Sequence, residues 1–358
     1  MRCDDAVKAV GPLVLGALDA LEPSAETAAL IEAGGLGGVT LFRRNVDDDV
    51  VALARRNAAL HTRAPRPFLV AVDQEGGRVA RLRTAPVTQL PAARDLAEWL
   101  GEATIERLGF EVARQLRALG FTMNFAPVLD VHSEPRNPVI GDRAFGVDHA
   151  SATSKALAFA AGQRRAGLAS CGKHFPGHGD TTTDSHHALP FVDVARDVLD
   201  ARELPPFRAA AAAGLEALMS AHVVYRALAP TPATLTPAIV TELLRGELGF
   251  RGVLFSDDLR MKALSDDVGA NAIAAIAAGC DVALVCEGEG LVREVVERVA
   301  AEYRASEAFR ARVVESRARV EHLHAAFPAA PVADPDELRV QLEASNTAAV
   351  RVMAGLEP

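Results

Sequence analysis

The chain has no apolar run long enough to span a bilayer. Its opening residues, Met1-Arg2-Cys3-Asp4-Asp5, show neither the cationic start nor the apolar core of a secretory signal. Both absences set the expectation of a cytoplasmic protein with no membrane partner. Cysteine is scarce and unpatterned. Cys3, Cys171, Cys280 and Cys286 form no CxxC spacing, so reduced, buried thiols are expected. No basic cluster with interleaved aromatics is present, and the formal net charge is −9, which argues against nucleic acid as a partner. Internal repeats are missing, and alanine-rich tracts such as residues 209–213 read as compositional bias.

What is present is a regular alternation. With 358 residues, 49% of them hydrophobic, the chain could form two ordinary domains or one large barrel. Eight short apolar, β-prone runs recur at residues 13–18, 39–42, 68–73, 122–128, 168–174, 217–223, 253–257 and 282–286. Most are continuous rather than alternating, as parallel strands covered on both faces should be. Helical patterns lie between them; Ile105, Leu108, Val112, Leu116 and Leu119 share one face, and Gly120 follows as a stop signal. Eight strand–helix units predict an α/β fold, a single (β/α)8 barrel spanning about residues 11–300. An open doubly wound sheet is the alternative, but no GxGxxG follows the first run. Beyond residue 290 the chain turns helical and charged to about Ala326. The break Phe327-Pro328-Ala329-Ala330-Pro331 and a final helix follow, and these C-terminal helices, about 301–358, are expected to pack on the barrel wall within one catalytic domain, 1–358.

The polar residues fall at the ends of the runs. Asp73 ends the third, Asn124 and Asp130 flank the end of the fourth, and Lys173 and His174 end the fifth. His222 ends the sixth, Asp257 the seventh, and Glu287 follows the eighth. Barrel enzymes gather their catalytic groups at these carboxyl ends, so the layout is that of an enzyme.

The densest stretch is Lys173-His174-Phe175-Pro176-Gly177-His178-Gly179-Asp180, continuing to Asp184-Ser185-His186. Pro176, Gly177 and Gly179 break regular structure, so a shaped loop should leave the fifth strand there. An imidazole with a carboxylate two residues away, as in His186 and Asp184, can give and take protons near neutral pH. Asp257, in Phe255-Ser256-Asp257-Asp258-Leu259, can attack an electrophilic carbon or bind a metal, with Asp258 capping the next helix or facing away. His174, His178 and Asp180 resemble part of a metal site. Against it, Pro176 and Gly177 keep the two histidines off one helix face, and Lys173 adds a cation. In Asp73-Gln74-Glu75-Gly76-Gly77-Arg78-Val79, Asp73 can accept hydrogen bonds from sugar hydroxyls while Glu75 and Arg78 pair to hold the loop. Gly141-Asp142-Arg143-Ala144-Phe145-Gly146 offers an arginine fork.

Taken with Gly37-Gly38-Val39-Thr40-Leu41-Phe42-Arg43-Arg44-Asn45 and Ser220-Ala221-His222-Val223, these motifs give nearly the whole chain a resemblance to family 3 glycoside hydrolases. The closer likeness is to the bacterial single-domain β-N-acetylglucosaminidases of cell-wall recycling. The resemblance implies a retaining exo-β-N-acetylglucosaminidase acting on terminal GlcNAc of muropeptides. It implies Asp257 as nucleophile, His186 as general acid/base with Asp184 as its partner, and Asp73, Arg143, Lys173 and His174 as ligands of the −1 sugar. It implies a monomer with no metal and no other cofactor. Ala144 stands where serine is common, and Arg260 and Lys262 where small or acidic residues are usual. The alternatives are another family 3 specificity (a β-glucosidase or a phosphorylase) and, further off, a metal-dependent barrel hydrolase using His174, His178 and Asp257.

Overall fold

The computed structural model describes residues 4–46, 48–183, 189–331 and 333–356. Eight parallel strands close into a barrel in chain order: β1 (Val14–Ala17), β2 (Gly38–Leu41), β3 (Leu69–Val72), β4 (Met123–Asn124), β5 (Ala169–Phe175), β6 (Ala217–Ser220), β7 (Val253–Asp258) and β8 (Val282–Leu284). Each falls within or against one of the eight apolar runs. The barrel shuts where Val14 and Leu15 of β1 pair with Ala283 and Leu284 of β8.

The fourth strand is much shorter than its run. Phe125 still donates to the carbonyl of Val72, but Pro127 has no N–H to continue the ladder, and pairing resumes only as a bridge between Val128 and Lys173. Every residue of β1, β2, β3 and β5 is buried, which accounts for the largely apolar pattern of the first three, while β5 carries Ser170, Lys173 and His174 among its apolar residues.

The helices pack outside as their apolar faces require. Ile105, Leu108, Val112 and Leu116 of the helix Glu102–Ala118 are all buried, and Gly120 follows in the left-handed region at φ 85°. The last helix, Pro335–Met353, lies on that one. Gln115 Nε2 donates to the Leu342 carbonyl at 3.0 Å and Ser345 Oγ to Glu111 at 2.7 Å. The helix Glu307–Ala326 does more than lie on the wall. Its Val320 and Leu323 join Leu15, Leu69, Val253 and Val282 in the barrel interior, forming a floor beneath the amino ends of the strands. Among the described residues no helix is long and apolar enough to cross a membrane.

One carboxylate ties that floor to the barrel. Asp281, fully buried just ahead of β8, accepts from Arg245 (2.6 Å), Arg312 (2.7 Å), Arg319 (2.9 Å), Ser316 Oγ (2.8 Å) and the Leu254 amide (2.9 Å). Asp281→Ala would leave three guanidinium groups facing a void. Removing one partner of a buried ion network costs about 3–5 kcal/mol, so the urea midpoint should fall by that equivalent. A loss within the error of a surface substitution would show that the floor is held by its apolar contacts alone.

Candidate active site

A cavity of about 270 Å³ opens at the carboxyl ends of the strands. Thr40, Asp73, Lys173, Met219, Asp257 and Leu284 line it from β2, β3, β5, β6, β7 and β8 or the positions next to them, with His174 and Arg143 beside them. Five of the residues singled out from sequence, Asp73, Arg143, Lys173, His174 and Asp257, therefore meet in one place. Asp184 and His186 lie outside the described residues.

The polar wall is an ion network around the Lys173 ammonium, whose side chain is only 3% exposed. Its Nζ lies 2.8 Å from Asp73 Oδ1 and 2.6 Å from Glu75 Oε1. Arg143 grips Glu75 with a two-pronged pair, Nε and Nη2 each at 2.9 Å, and Arg81 holds the other oxygen of Asp73 at 3.0 Å. Burial alone would raise the carboxyl pKa values. Lys173 and Arg81 nevertheless hold Asp73 below its usual range, and Arg143 and Lys173 hold Glu75 far below. Burial likewise works against the charge on Lys173, but Asp73 and Glu75 carry it above its ordinary value. Three cations thus face two carboxylates in this network, and Asp257 lines the same cavity.

The pairing of Glu75 with Arg78 expected from sequence does not occur. The segments Gln74–Gly76 and Val79–Ala80 form a tight hairpin whose turn passes through Gly76 at φ 113° and Gly77 at φ 53°. A Cβ on Gly76 would sit 2.5 Å from the Pro91 carbonyl, so only glycine serves. The turn sends Glu75 inward, where it is 5% exposed, and Arg78 outward to Asp142 at 2.9 Å. Arg81, which sequence reasoning passed over, is brought to Asp73 by the same hairpin. Its signal was the run of turn glycines between two strand-like pairs.

The polar residues at strand ends divide into two sets. Asn124 is buried and spent on the Gln74 backbone and on Gln163 Oε1. His222 is buried with Nδ1 against Thr234 Oγ1 at 2.8 Å and Nε2 against the Asp258 carbonyl at 3.0 Å. Both brace the scaffold rather than the cavity. Asp258 does not cap the next helix, which begins at Val268 with Asp267 as its cap. Its Oδ1 accepts from the amides of Arg260 and Cys286, tying β7 to the turn after β8. Glu287 is exposed, 3.7 Å from Arg260.

In the Lys173–Asp180 segment, Asp130 accepts from the His174 amide, the His178 amide and His174 Nδ1. Gly179 runs so close to Val131 that a Cβ would sit 1.5 Å from its carbonyl oxygen. His178 Nδ1 lies 2.9 Å from Thr181 Oγ1, and burial brings its pKa down to about 4. Asp180 turns away to Arg202 at 2.7 Å. His174, His178 and Asp180 therefore do not converge. Among the described residues no three His, Cys, Asp or Glu side chains form a group able to hold a metal ion.

The family model described as the glycosyl hydrolase family 3 N terminal domain matches residues 8–323. A beta-hexosaminidase of Alkalilimnicola ehrlichii is 41% identical over 300 residues, covering 81% of this chain and 84% of that protein. The solved beta-N-acetylhexosaminidase of Beutenbergia cavernae superposes with a TM-score of 0.83 at 34% identity, over 90% of this chain and 98% of that one. NagZ from Neisseria gonorrhoeae, solved with N-trifluoroacetyl-D-glucosamine, gives 0.78 at 29% identity over 97% and 98%.

Behind the loop sits one further acid. Glu203 is buried against Gly177, and its Oε1 accepts from Ser133 Oγ at 2.9 Å and Arg202 Nε at 2.7 Å. Burial pushes its pKa up to about 7 against the pull of Arg202 and Ser133. The native state therefore holds a proton that the unfolded chain releases near its ordinary value, and stability falls as pH climbs from about 4.5 to 7. Glu203→Gln removes that slope. Unfolding by urea across pH 4–8.5 should show the variant gaining on the parent by about 3 kcal/mol over this window. Parallel curves for the two proteins would rule out the buried proton.

Proposed function

The chain belongs to glycosyl hydrolase family 3 and is a glycoside hydrolase of the β-N-acetylhexosaminidase type, and we propose that it removes terminal non-reducing GlcNAc by double displacement. Asp257 attacks C1 of the sugar while His186 protonates the departing oxygen. The resulting glycosyl-enzyme is hydrolysed by a water that His186, now a base, activates. Asp184 orients and charges that imidazole. Asp73, Arg143, Lys173 and His174 hold the −1 sugar through its hydroxyls.

The observation that carries this reading is the placement of Asp257 in one cavity with the Lys173–Asp73–Glu75–Arg143 network. The network offers donors and acceptors side by side, as a sugar rich in hydroxyls requires, and its cations suit an ionised nucleophile in the same cavity. The cavity's enclosure by loops at one end of the barrel suits removal of a terminal residue.

We assign the substrate to muropeptides released during peptidoglycan recycling in the cytoplasm. Two features favour it. Arg78 lines the cavity and is half exposed, where it suits a leaving group carrying carboxylates. Cys171 and Cys280 are buried, unpaired thiols, which fit a reducing compartment.

Hydrolysis of p-nitrophenyl N-acetyl-β-glucosaminide should far exceed that of the plain glucoside, and a reversed preference would sink the specificity. Turnover that rises with added phosphate and yields a sugar phosphate would mark a phosphorylase instead.

Asp257→Ala should lower kcat by several orders of magnitude, as loss of a covalent nucleophile does. A 5-fluoro glycoside should label the peptide containing Asp257. Label on another peptide, or full activity in the variant, would reassign the nucleophile.

His186→Ala should spare an activated dinitrophenyl glycoside while slowing a natural disaccharide by about 10²–10⁴-fold, because only the sugar leaving group needs a proton. Equal losses on both substrates would move the acid/base role elsewhere.

A further inference from the structure

Asp130 does not line the cavity, yet it governs a group that does. The side chain is fully buried, 0% exposed. Its Oδ1 accepts two backbone amides, His174 at 3.0 Å and His178 at 2.7 Å, while Oδ2 faces His174 Nδ1 at 2.6 Å. Burial works to raise this carboxyl's pKa, but the hydrogen bonds it accepts from the His174 ring and the His178 amide hold it below the usual range, so it stays ionised. An ionised carboxylate can only accept, so the ring nitrogen it faces must carry the hydrogen. The other nitrogen, Nε2, lies 3.5 Å from Arg143 Nη2. A guanidinium can only donate, and a second ring proton would point at it. The ring is therefore neutral, with Nδ1–H turned to Asp130 and the Nε2 lone pair on the cavity side.

We propose that Asp130 is a positioning residue for the glycosidic reaction. It locks His174 into the Nδ1–H tautomer and so makes Nε2 the acceptor for a hydroxyl of the −1 sugar. This rests on the reading of the cavity as a sugar subsite. Its chemical sense lies in the neighbours. Arg143 and Lys173 bring only donors to the cavity, and the acceptors Asp73 and Glu75 are shared with cations, so Nε2 is a further acceptor beside them. A sugar hydroxyl that accepts from Arg143 still needs somewhere to place its own hydrogen, and Nε2 supplies that place when the hydroxyl enters between the two and replaces their long 3.5 Å contact.

Asp130→Asn tests the lock because it changes one atom's role and little of the shape. Its carbonyl oxygen must stay on the two backbone amides, since turning the NH₂ toward them would set donor against donor twice. The NH₂ then faces His174 Nδ1, where only a bare nitrogen is tolerated, and the hydrogen moves to Nε2. A wrong tautomer imposed by such a substitution disables histidine in serine proteases through the same logic. Here the ring binds rather than transfers protons, so kcat/KM should fall about 10–100-fold, the scale of one unmade buried hydrogen bond.

The direct readout is ¹⁵N NMR of histidine-labelled protein, with His174 assigned by comparison with His174→Gln. The parent should show a protonated Nδ1 and a bare Nε2, and Asp130→Asn the reverse. The kinetic readout is a double-mutant comparison, in which Asp130→Asn should cost little further once His174→Ala is present. A bare Nδ1 in the active parent would overturn the inference without recourse to any variant. So would an unchanged ring pattern in Asp130→Asn, or an equal kinetic loss with and without His174. Failure of the parent to act on any N-acetylglucosaminide would strike the functional reading itself, while the tautomer measurement needs no substrate and separates the two failures.

Discussion

A buried ammonium group must be matched by negative charge within hydrogen-bonding reach, and at Lys173 that requirement shapes the surrounding chain. Burying an unpaired ion costs several kcal/mol or more, so Asp73 and Glu75 must both come to it. Asp73 arrives at the end of a strand without special help. Glu75 reaches inward only because the chain reverses through two glycines at positive φ. The charge on Glu75 then demands Arg143, which draws the loop after β4 over the barrel mouth. Strand, hairpin and loop thus lean on one cation, and the cavity is the space they leave between them.

Much of this was legible in the sequence, for physical reasons. Parallel strands buried on both faces must be apolar throughout, and runs such as Val39–Phe42 and Phe68–Val72 have little other use between amphipathic helices. Strand ends gather side chains at one rim, so Asp73, Lys173 and Asp257 were drawn together by topology alone. Reading which of the rim residues serve the cavity was harder. Asn124 and His222 have the same placement in the pattern as Asp73 and Lys173, but they sit where neighbouring backbone groups need partners, and nothing local in the sequence marks that need.

What the sequence left hidden shares a cause. Glu75 and Arg78 are three apart and opposite in charge, which suggests a local pair, but a glycine hairpin is not a helix and sends them to opposite sides. Asp130 stands forty-four residues before His174, and its three hydrogen bonds depend on how β4 and β5 lie side by side. The floor helix looked like another wall helix because Val320 and Leu323 fit either setting. Only the network on Asp281 shows which surface it covers.

Closure of the barrel between β1 and β8 has a temporal side. On the ribosome, Val14 emerges long before its partner Ala283, and the arginines that secure Asp281 from the floor helix come later still. At ordinary elongation rates of about 5–20 residues per second, β1 spends roughly ten to fifty seconds with an unsatisfied edge. An open, wholly apolar strand edge is a template for pairing with other chains. Newly made protein should therefore be most vulnerable to aggregation late in synthesis, when seven strands exist and the eighth does not. A truncation before Asp281 would hold it in that condition permanently.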